Sequence, residues 1–344
     1  MTRVLPLVLA LLAVAPVFAQ PPAGAPEAAP YRSEDVRYKN GPLTLAALLM
    51  VPPGQGPFAG AVILQGSGRS DRTNGWARAI SEVLVRNGVA VLLTDKRGCG
   101  ASEGDWQRAD FNDLAGDALA GVRFLRSRSG IDPRRVGVVG LSQGGWVAPL
   151  AAARSQEVAF VIDVSGAAVS FAEQSFFEMA NTARQAGLPE EQVREVLELN
   201  RAAAEYLIMS NWDRYRRVRE RGLERPWRAI AEGFPGSPDL PIWTFLRGVA
   251  AYDPLPYWVQ LTVPVLVLYG AEDERDNVPV AESVRRLEHA FRSAKKTNYE
   301  VVVIPGAGHS FFEQGTSRLM PAFVDALGAW LRRNGLAPQS EPAQ

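Results

Sequence analysis

Val136-Gly137-Val138-Val139-Gly140-Leu141-Ser142-Gln143-Gly144 is the stretch on which the fold turns. Its first four residues have the apolar, β-branched character of a strand covered on both faces, and a helical pattern follows through Trp146, Ala148 and Leu150. Between them stands Gly-x-Ser-x-Gly. A strand that turns this sharply into a helix strains the backbone of the central residue, and glycines must flank it because side chains there would clash. The turn lifts the Ser142 hydroxyl clear of the sheet and aims the helix N-terminus at it, so the Gln143 backbone N–H can help to hold an oxyanion. Out of context the string is common by chance and an ordinary turn serine is the alternative; the strand-to-helix setting favours a nucleophile.

Outward from this point, short β-rich runs alternate with amphipathic ones. Residues 35–39 and 43–51 flank Asn40-Gly41, a hairpin signal. Residues 60–64, 89–94, 136–139, 160–164, 263–269 and 299–304 read as buried strands. Helical patterns occupy 76–86, 113–126, 280–291 and 320–332. Such alternation predicts an α/β fold with a mostly parallel, doubly wound sheet behind an N-terminal hairpin. Between 168 and 261 the strand signals vanish, and the sequence becomes helix-like and aromatic, with Phe171, Phe176, Phe177, Trp212, Trp227, Trp243 and Trp258. A helical cap inserted over the ends of the sheet is the expectation.

A serine hydroxyl needs a base to remove its proton, and the chain offers only two imidazoles, His289 and His309. His289 falls in the middle of a helical pattern. His309 follows the last strand on the glycine-rich loop Pro305-Gly306-Ala307-Gly308, which can carry it over the sheet edge. The base in turn needs an anion. Asp273 follows the strand 263–269, with Glu272, Asp276 and Asp163 as rivals and Asp276 the strongest of them. The other half of an oxyanion hole is expected from Gln65-Gly66-Ser67-Gly68-Arg69, where closely spaced glycines free the N–H of Gly66 or Ser67; a phosphate cradle is the weaker reading, since the Lys-Ser/Thr ending of a nucleotide loop is missing.

The 344 residues carry 37 basic and 37 acidic side chains, so net charge favours neither nucleic acid nor an anionic membrane. The dense arginines from Arg214 to Arg221 read as a solvated helix face. A single cysteine, Cys99, allows no intrachain disulfide, and two histidines make a histidine-based metal site improbable. No cofactor is implied. Arg3, the apolar run 4–17 and Val17-Phe18-Ala19 read as an export signal cleaved after Ala19, because the run is short of the roughly 20 apolar residues of a spanning helix and contains Pro6 and Pro16.

Together these motifs resemble the α/β-hydrolase superfamily and, within it, bacterial carboxylesterases with an H-G-S-G-x-x-D-R loop, a D-x-R-G-x-G-x-S segment and a helical cap. The counterparts are Gln65-Gly66-Ser67-Gly68-Arg69-Ser70-Asp71-Arg72 and Asp95-Lys96-Arg97-Gly98-Cys99-Gly100-Ala101-Ser102. Gln65 replaces the usual histidine, which normally shapes its loop, and the acid loop from Asp273 to Pro279 is longer than usual. The resemblance implies a Ser142–Asp273–His309 triad hydrolysing esters of short to medium acyl chains, with small-molecule substrates and no nucleic-acid or stably membrane-inserted partner. Amide or thioester hydrolysis is the alternative; an aminopeptidase would need cap acids such as Glu173 and Glu178, although exposed helix carboxylates are the commoner explanation for those. The expected organisation is a signal at 1–19, a flexible leader at 20–34, the core at 35–167 and 262–335, the cap at 168–261 with Phe171, Phe176 and Phe177 in a substrate pocket, and a tail at 336–344.

Overall fold

The computed structural model describes residues 31–338. The expected signal segment, most of the leader and most of the tail lie outside them. Eight strands form one sheet in the order β1-β2-β4-β3-β5-β6-β7-β8. β1 (Arg32–Asn40) and β2 (Leu43–Val51) make the hairpin, and β2 pairs antiparallel with β4 (Val89–Thr94). The remaining neighbours are parallel: β3 (Phe58–Leu64), β5 (Ile131–Leu141), β6 (Val161–Val164), β7 (Val265–Gly270) and β8 (Tyr299–Ile304). From β3 the chain first moves to one side, to β4, and then returns to the other side as β5. The strand order therefore reverses beside β3, and a crevice opens there at the carboxyl ends of the strands.

The strand side chains alternate between two cores. Val62, Ala90, Leu92 and Val138 face α2 (Phe111–Arg126), α3 (Gln143–Ala153) and α10 (Val280–Ser293). Ala61, Ile63, Val91 and Leu93 face α1 (Gly75–Arg86) and α11 (Pro321–Arg333). This two-sided burial is why β4 is wholly buried and carries no polar alternation.

Several boundaries differ from the expectation, the largest shift being β5, which begins at Ile131 rather than 136. β1 begins at Arg32 rather than 35; its first residues are exposed and lack the apolar alternation that marks a strand in sequence. Leu336 and Ala337, assigned to the tail, are buried against the α11 side of the sheet. Between β6 and β7 stand only helices: α4 (Phe171–Gln185), α5 (Glu190–Met209), α6 (Trp212–Leu223), α7 (Arg228–Gly233), α8 (Ile242–Val249) and α9 (Leu255–Gln260). Trp227 and Trp243 pack into a core of the insertion's own, with Trp212 against it, whereas Trp258 belongs to the main core and meets Phe291 edge-on. The arginines of α6 are not simply a solvated face. Arg214 pairs with Glu205 and Arg221 with Glu198, tying α6 to α5.

Candidate active site

Ser142 has φ 52° and ψ −114°, a backbone conformation that L side chains rarely adopt. Sterics hold it there. A Cβ on Gly144 would stand 2.2 Å from the Leu64 carbonyl oxygen, and one on Gly140 would stand 2.3 Å from that of Gly144. A third requirement was not read from the sequence: a Cβ on Gly145 would stand 2.1 Å from Asp163 Oδ1. Asp163 is buried beneath the turn and accepts the Gly166 N–H at 3.0 Å, and burial holds its carboxyl well above the usual carboxylate range. It braces the turn from beneath, and the hydrogen-bond partner of His309 is Asp273 instead.

The loops after β7 and β8 meet at this edge. Asp273 lies in the 3-10 turn Ala271–Arg275, is 0% exposed, and stands 2.7 Å from His309 Nδ1 through its Oδ2. Asp276 is exposed and turned towards Gln185 of α4 at 3.5 Å. α4 also takes up the added length of this loop, through Gln174 to Asn277 and Asn181 to the Glu274 and Asp276 carbonyls. His289 lies within α10, away from this constellation. Burial disfavours a charged His309, but the charge of Asp273 and its hydrogen bond outweigh that effect, with Asp276 and Glu178 assisting, so the imidazole pKa is raised. Among the described residues, the Ser142 hydroxyl and His309 do not share a hydrogen bond.

Two further groups seat His309, one at its backbone and one at its ring. Ser165, at φ 58°, donates its hydroxyl to the His309 carbonyl at 2.8 Å. Trp76 stacks obliquely on the ring with centroids 5.5 Å apart. Trp76 had the spacing of a core helix residue, and nothing local in the sequence marks Ser165.

Gly66 lies over the turn, where an added Cβ would be 3.6 Å from Ser142 Cβ. Its loop is shaped from within by Gln65, whose amide donates to the Thr94 and Asp71 carbonyls and whose oxygen accepts the Ser70 hydroxyl at 2.8 Å. Arg72 at the loop's end is bound bidentately by Asp95, at 2.9 and 2.6 Å, which joins the two segments that carried the resemblance. Cys99 beside them is buried, and burial raises its thiol pKa.

The cap acids divide. Glu173 is exposed, caps α4 through Ser170 and pairs with Arg286 at 2.6 Å, which holds its carboxyl down to about 2. Glu178 contradicts the expectation of an exposed helix carboxylate. It is 4% exposed, and its Oε1 is buried without a hydrogen-bond partner. Burial pushes its pKa up to about 8; His309 acts in the opposite sense, and Asp276 and Asp273 add to the rise. Of the three pocket phenylalanines, Phe171 and Phe176 line a cavity of about 130 Å³ between α4, α5 and α8, whereas Phe177 does not. The cavity walls include none of Ser142, Asp273 and His309, though Phe171 packs on Trp146 of α3 at 5.7 Å.

The profile of the alpha/beta hydrolase family matches residues 61–322. Over 90 residues the chain is 40% identical to thiohydrolase aneE of Aspergillus aculeatus, a match covering 26% of this chain and 27% of that protein. Its fold is similar to an esterase of Pyrococcus furiosus, at 18% identity and a TM-score of 0.58 over 93% of this chain and 99% of the other. It is also similar to a proline iminopeptidase of Mycobacterium smegmatis, at 16% identity and a TM-score of 0.56 over 88% and 99%. With a family profile that spans most of its length, and a sheet whose carboxyl edge gathers a strained serine, a histidine and a buried aspartate, the chain belongs to the alpha/beta hydrolase family.

Proposed function

We propose that the chain is a serine hydrolase that cleaves carboxylic esters of short to medium acyl chains through an acyl-enzyme. The observation that carries this reading is the 2.7 Å contact between His309 Nδ1 and Asp273, formed by the two loops that flank the strained Ser142 turn. With Nδ1–H donating to Asp273, Nε2 is left as the base. Ser142 Oγ attacks the ester carbonyl as its proton passes to Nε2. The oxyanion is held by the Gln143 N–H at the start of α3 and by an N–H of the Gly66–Ser67 segment. As the intermediate collapses, the C–O bond breaks and the imidazolium returns its proton to the departing alcohol. Water, deprotonated by His309, then attacks the acyl-enzyme, and the acid leaves with Ser142 restored. The insertion acts as a cap in this reading, and the signal-like N-terminus implies an exported, periplasmic or secreted enzyme.

The test is labelling with a fluorophosphonate, followed by a panel of esters. Ser142→Ala should abolish both labelling and turnover while keeping the fold, and losing such a nucleophile costs on the order of a million-fold in kcat. Labelling that persists in Ser142→Ala would place the nucleophile elsewhere.

A second reading, hydrolysis of aminoacyl amides, has one observation in its favour: the buried Glu178 with an unpartnered oxygen on the His309 side of the cap. A protonated substrate amine would ionise and pair with it. Faster turnover of aminoacyl amides than of esters, lost in Glu178→Gln, would select this reading over the first.

A further inference from the structure

We propose that Lys96 is a positioning residue for the oxyanion site: its buried ammonium fixes the direction of the Gly66–Ser67 peptide and holds the Gln143 side chain at the start of α3. The inference rests on the serine hydrolase reading above. Lys96 follows β4 at the carboxyl edge of the sheet and is 7% exposed. Its Nζ donates to the Gly66 carbonyl, to the Gly68 carbonyl at 3.0 Å and to Gln143 Oε1 at 3.2 Å. An ammonium has three donors, and here all three are used on the two segments expected to supply the hole. The other amide atom of Gln143, Nε2, is buried without a partner, so Lys96 is the polar tie on that side chain.

Among the described residues Lys96 has no ion-pair partner. Asp95 beside it is occupied by Arg72, and Asp117 across a small cavity is occupied by Arg97 at 2.6 Å. The remaining neighbours are the buried Cys99 thiol and the neutral Trp106 ring, whose centroid is 5.9 Å from Nζ. A buried ammonium without a counter-charge opposes folding, and a methionine would fill the same space at less cost. Burial accordingly brings the Lys96 pKa down to about 8.

What the charge does follows from the peptide it binds. The Gly66 carbonyl and the Ser67 N–H belong to one planar trans unit and point in opposite directions. Holding the carbonyl towards Lys96 turns the Ser67 N–H to the opposite side and opposes a flip of the unit. A cation on the carbonyl also polarises the unit, which strengthens the N–H as a donor. Between Gly66 and Ser67, this assigns the donor role to Ser67. Loss of the proton leaves two donors for three acceptors and removes the polarising charge.

The experiment compares wild type, Lys96→Met and Lys96→Arg in kcat and KM for a short-chain ester, in the rate of fluorophosphonate inactivation, in thermal melting, and in kcat from about pH 6 to about pH 10. Arg stays charged throughout, and a cavity of about 40 Å³ lined by Lys96, Gln65 and Asp117 gives its longer side chain room. Folded Lys96→Met should lose on the order of a hundredfold in kcat and slow to match in inactivation, with little change in KM. Lys96→Arg should recover part of this loss and lack the decline of wild-type kcat above about pH 8. A folded Lys96→Met with kcat within about threefold of wild type would overturn the proposal. Should Lys96→Met not fold, Lys96→Gln takes its place, and a folded Lys96→Gln with kcat within about threefold of wild type, or an alkaline decline that Lys96→Arg shares, would overturn it equally. A wild type that takes up no fluorophosphonate would instead overturn the serine hydrolase reading beneath it.

Discussion

Replacing Glu178 by glutamine should change the pH dependence of stability more than stability itself. The Glu178 carboxyl is buried, and its pKa rises from the ordinary 4.5 to about 8. Between these two values the folded state keeps a proton that the unfolded chain has released. Stability therefore falls as pH rises through this window, by about 1.4 kcal/mol for each pH unit at most, and levels off above it. Over the whole interval the ceiling is about 5 kcal/mol, and relaxation with water entry brings the expected value to about 2–5 kcal/mol. Glutamine keeps the shape and cannot ionise. Urea unfolding of both proteins, followed from about pH 5 to about pH 9, should find Glu178→Gln close to wild type at the acid end and more stable than wild type at the alkaline end by that amount. A difference between the two that is independent of pH would refute the reasoning, because it would mean that the carboxyl titrates normally in the fold.

Asp273→Asn should lower kcat on the order of ten-thousand-fold and shift the acid limb of kcat/KM to lower pH, since Asp273 is what keeps the His309 pKa raised; Asp276→Asn, at an exposed site, should remain near wild type in steady-state kinetics. Alanine at Phe171 and Phe176, which line the cap cavity, should move the optimum acyl length in kcat/KM, at about 0.8 kcal/mol for each methylene, whereas Phe177→Ala should not. Protein taken from its native host should begin at Gln20 by N-terminal sequencing, and recovery of Thr2 would remove the case for export.

The parts legible in the sequence are those governed by local sterics and periodicity. The β5–Ser142–α3 turn could be read because strand and helix repeats meet at glycines that tolerate no side chain, and each parallel strand could be read because burial on both faces leaves an unbroken apolar run. β1 gave no such signal at its start, where it is exposed. The choice between Asp273 and Asp276 depended on the 3-10 turn and on three amides of α4, and those amides lie about a hundred residues away along the chain. Which of the insertion's aromatics line its cavity was not legible for a similar reason, since aromatic side chains pack a cap core and line a pocket with the same composition: Trp227 and Trp243 lie in that core, while Phe171 and Phe176 but not Phe177 face the cavity.

Buried ionisable groups are the feature a sequence conceals best, and here they cluster at one edge. Glu178, Lys96 and Asp163 look like ordinary helix, loop and strand residues in the sequence, yet each is buried, and none has an ion-pair partner among the described residues. An apolar residue of similar volume would stabilise the fold more at Lys96 and Glu178, whereas Asp163 accepts the buried Gly166 N–H. Chance would scatter such costs through the core. Instead all three stand beside the crevice where the strand order reverses: Asp163 under the serine turn, Lys96 behind the loop after β3, and Glu178 on the cap helix that grips the acid loop. Their common place argues that the cost is tied to the site. A protein that only needed this fold would have no reason to keep a buried ammonium without a counter-charge beside the serine turn, and replacing Lys96 should raise stability while lowering activity.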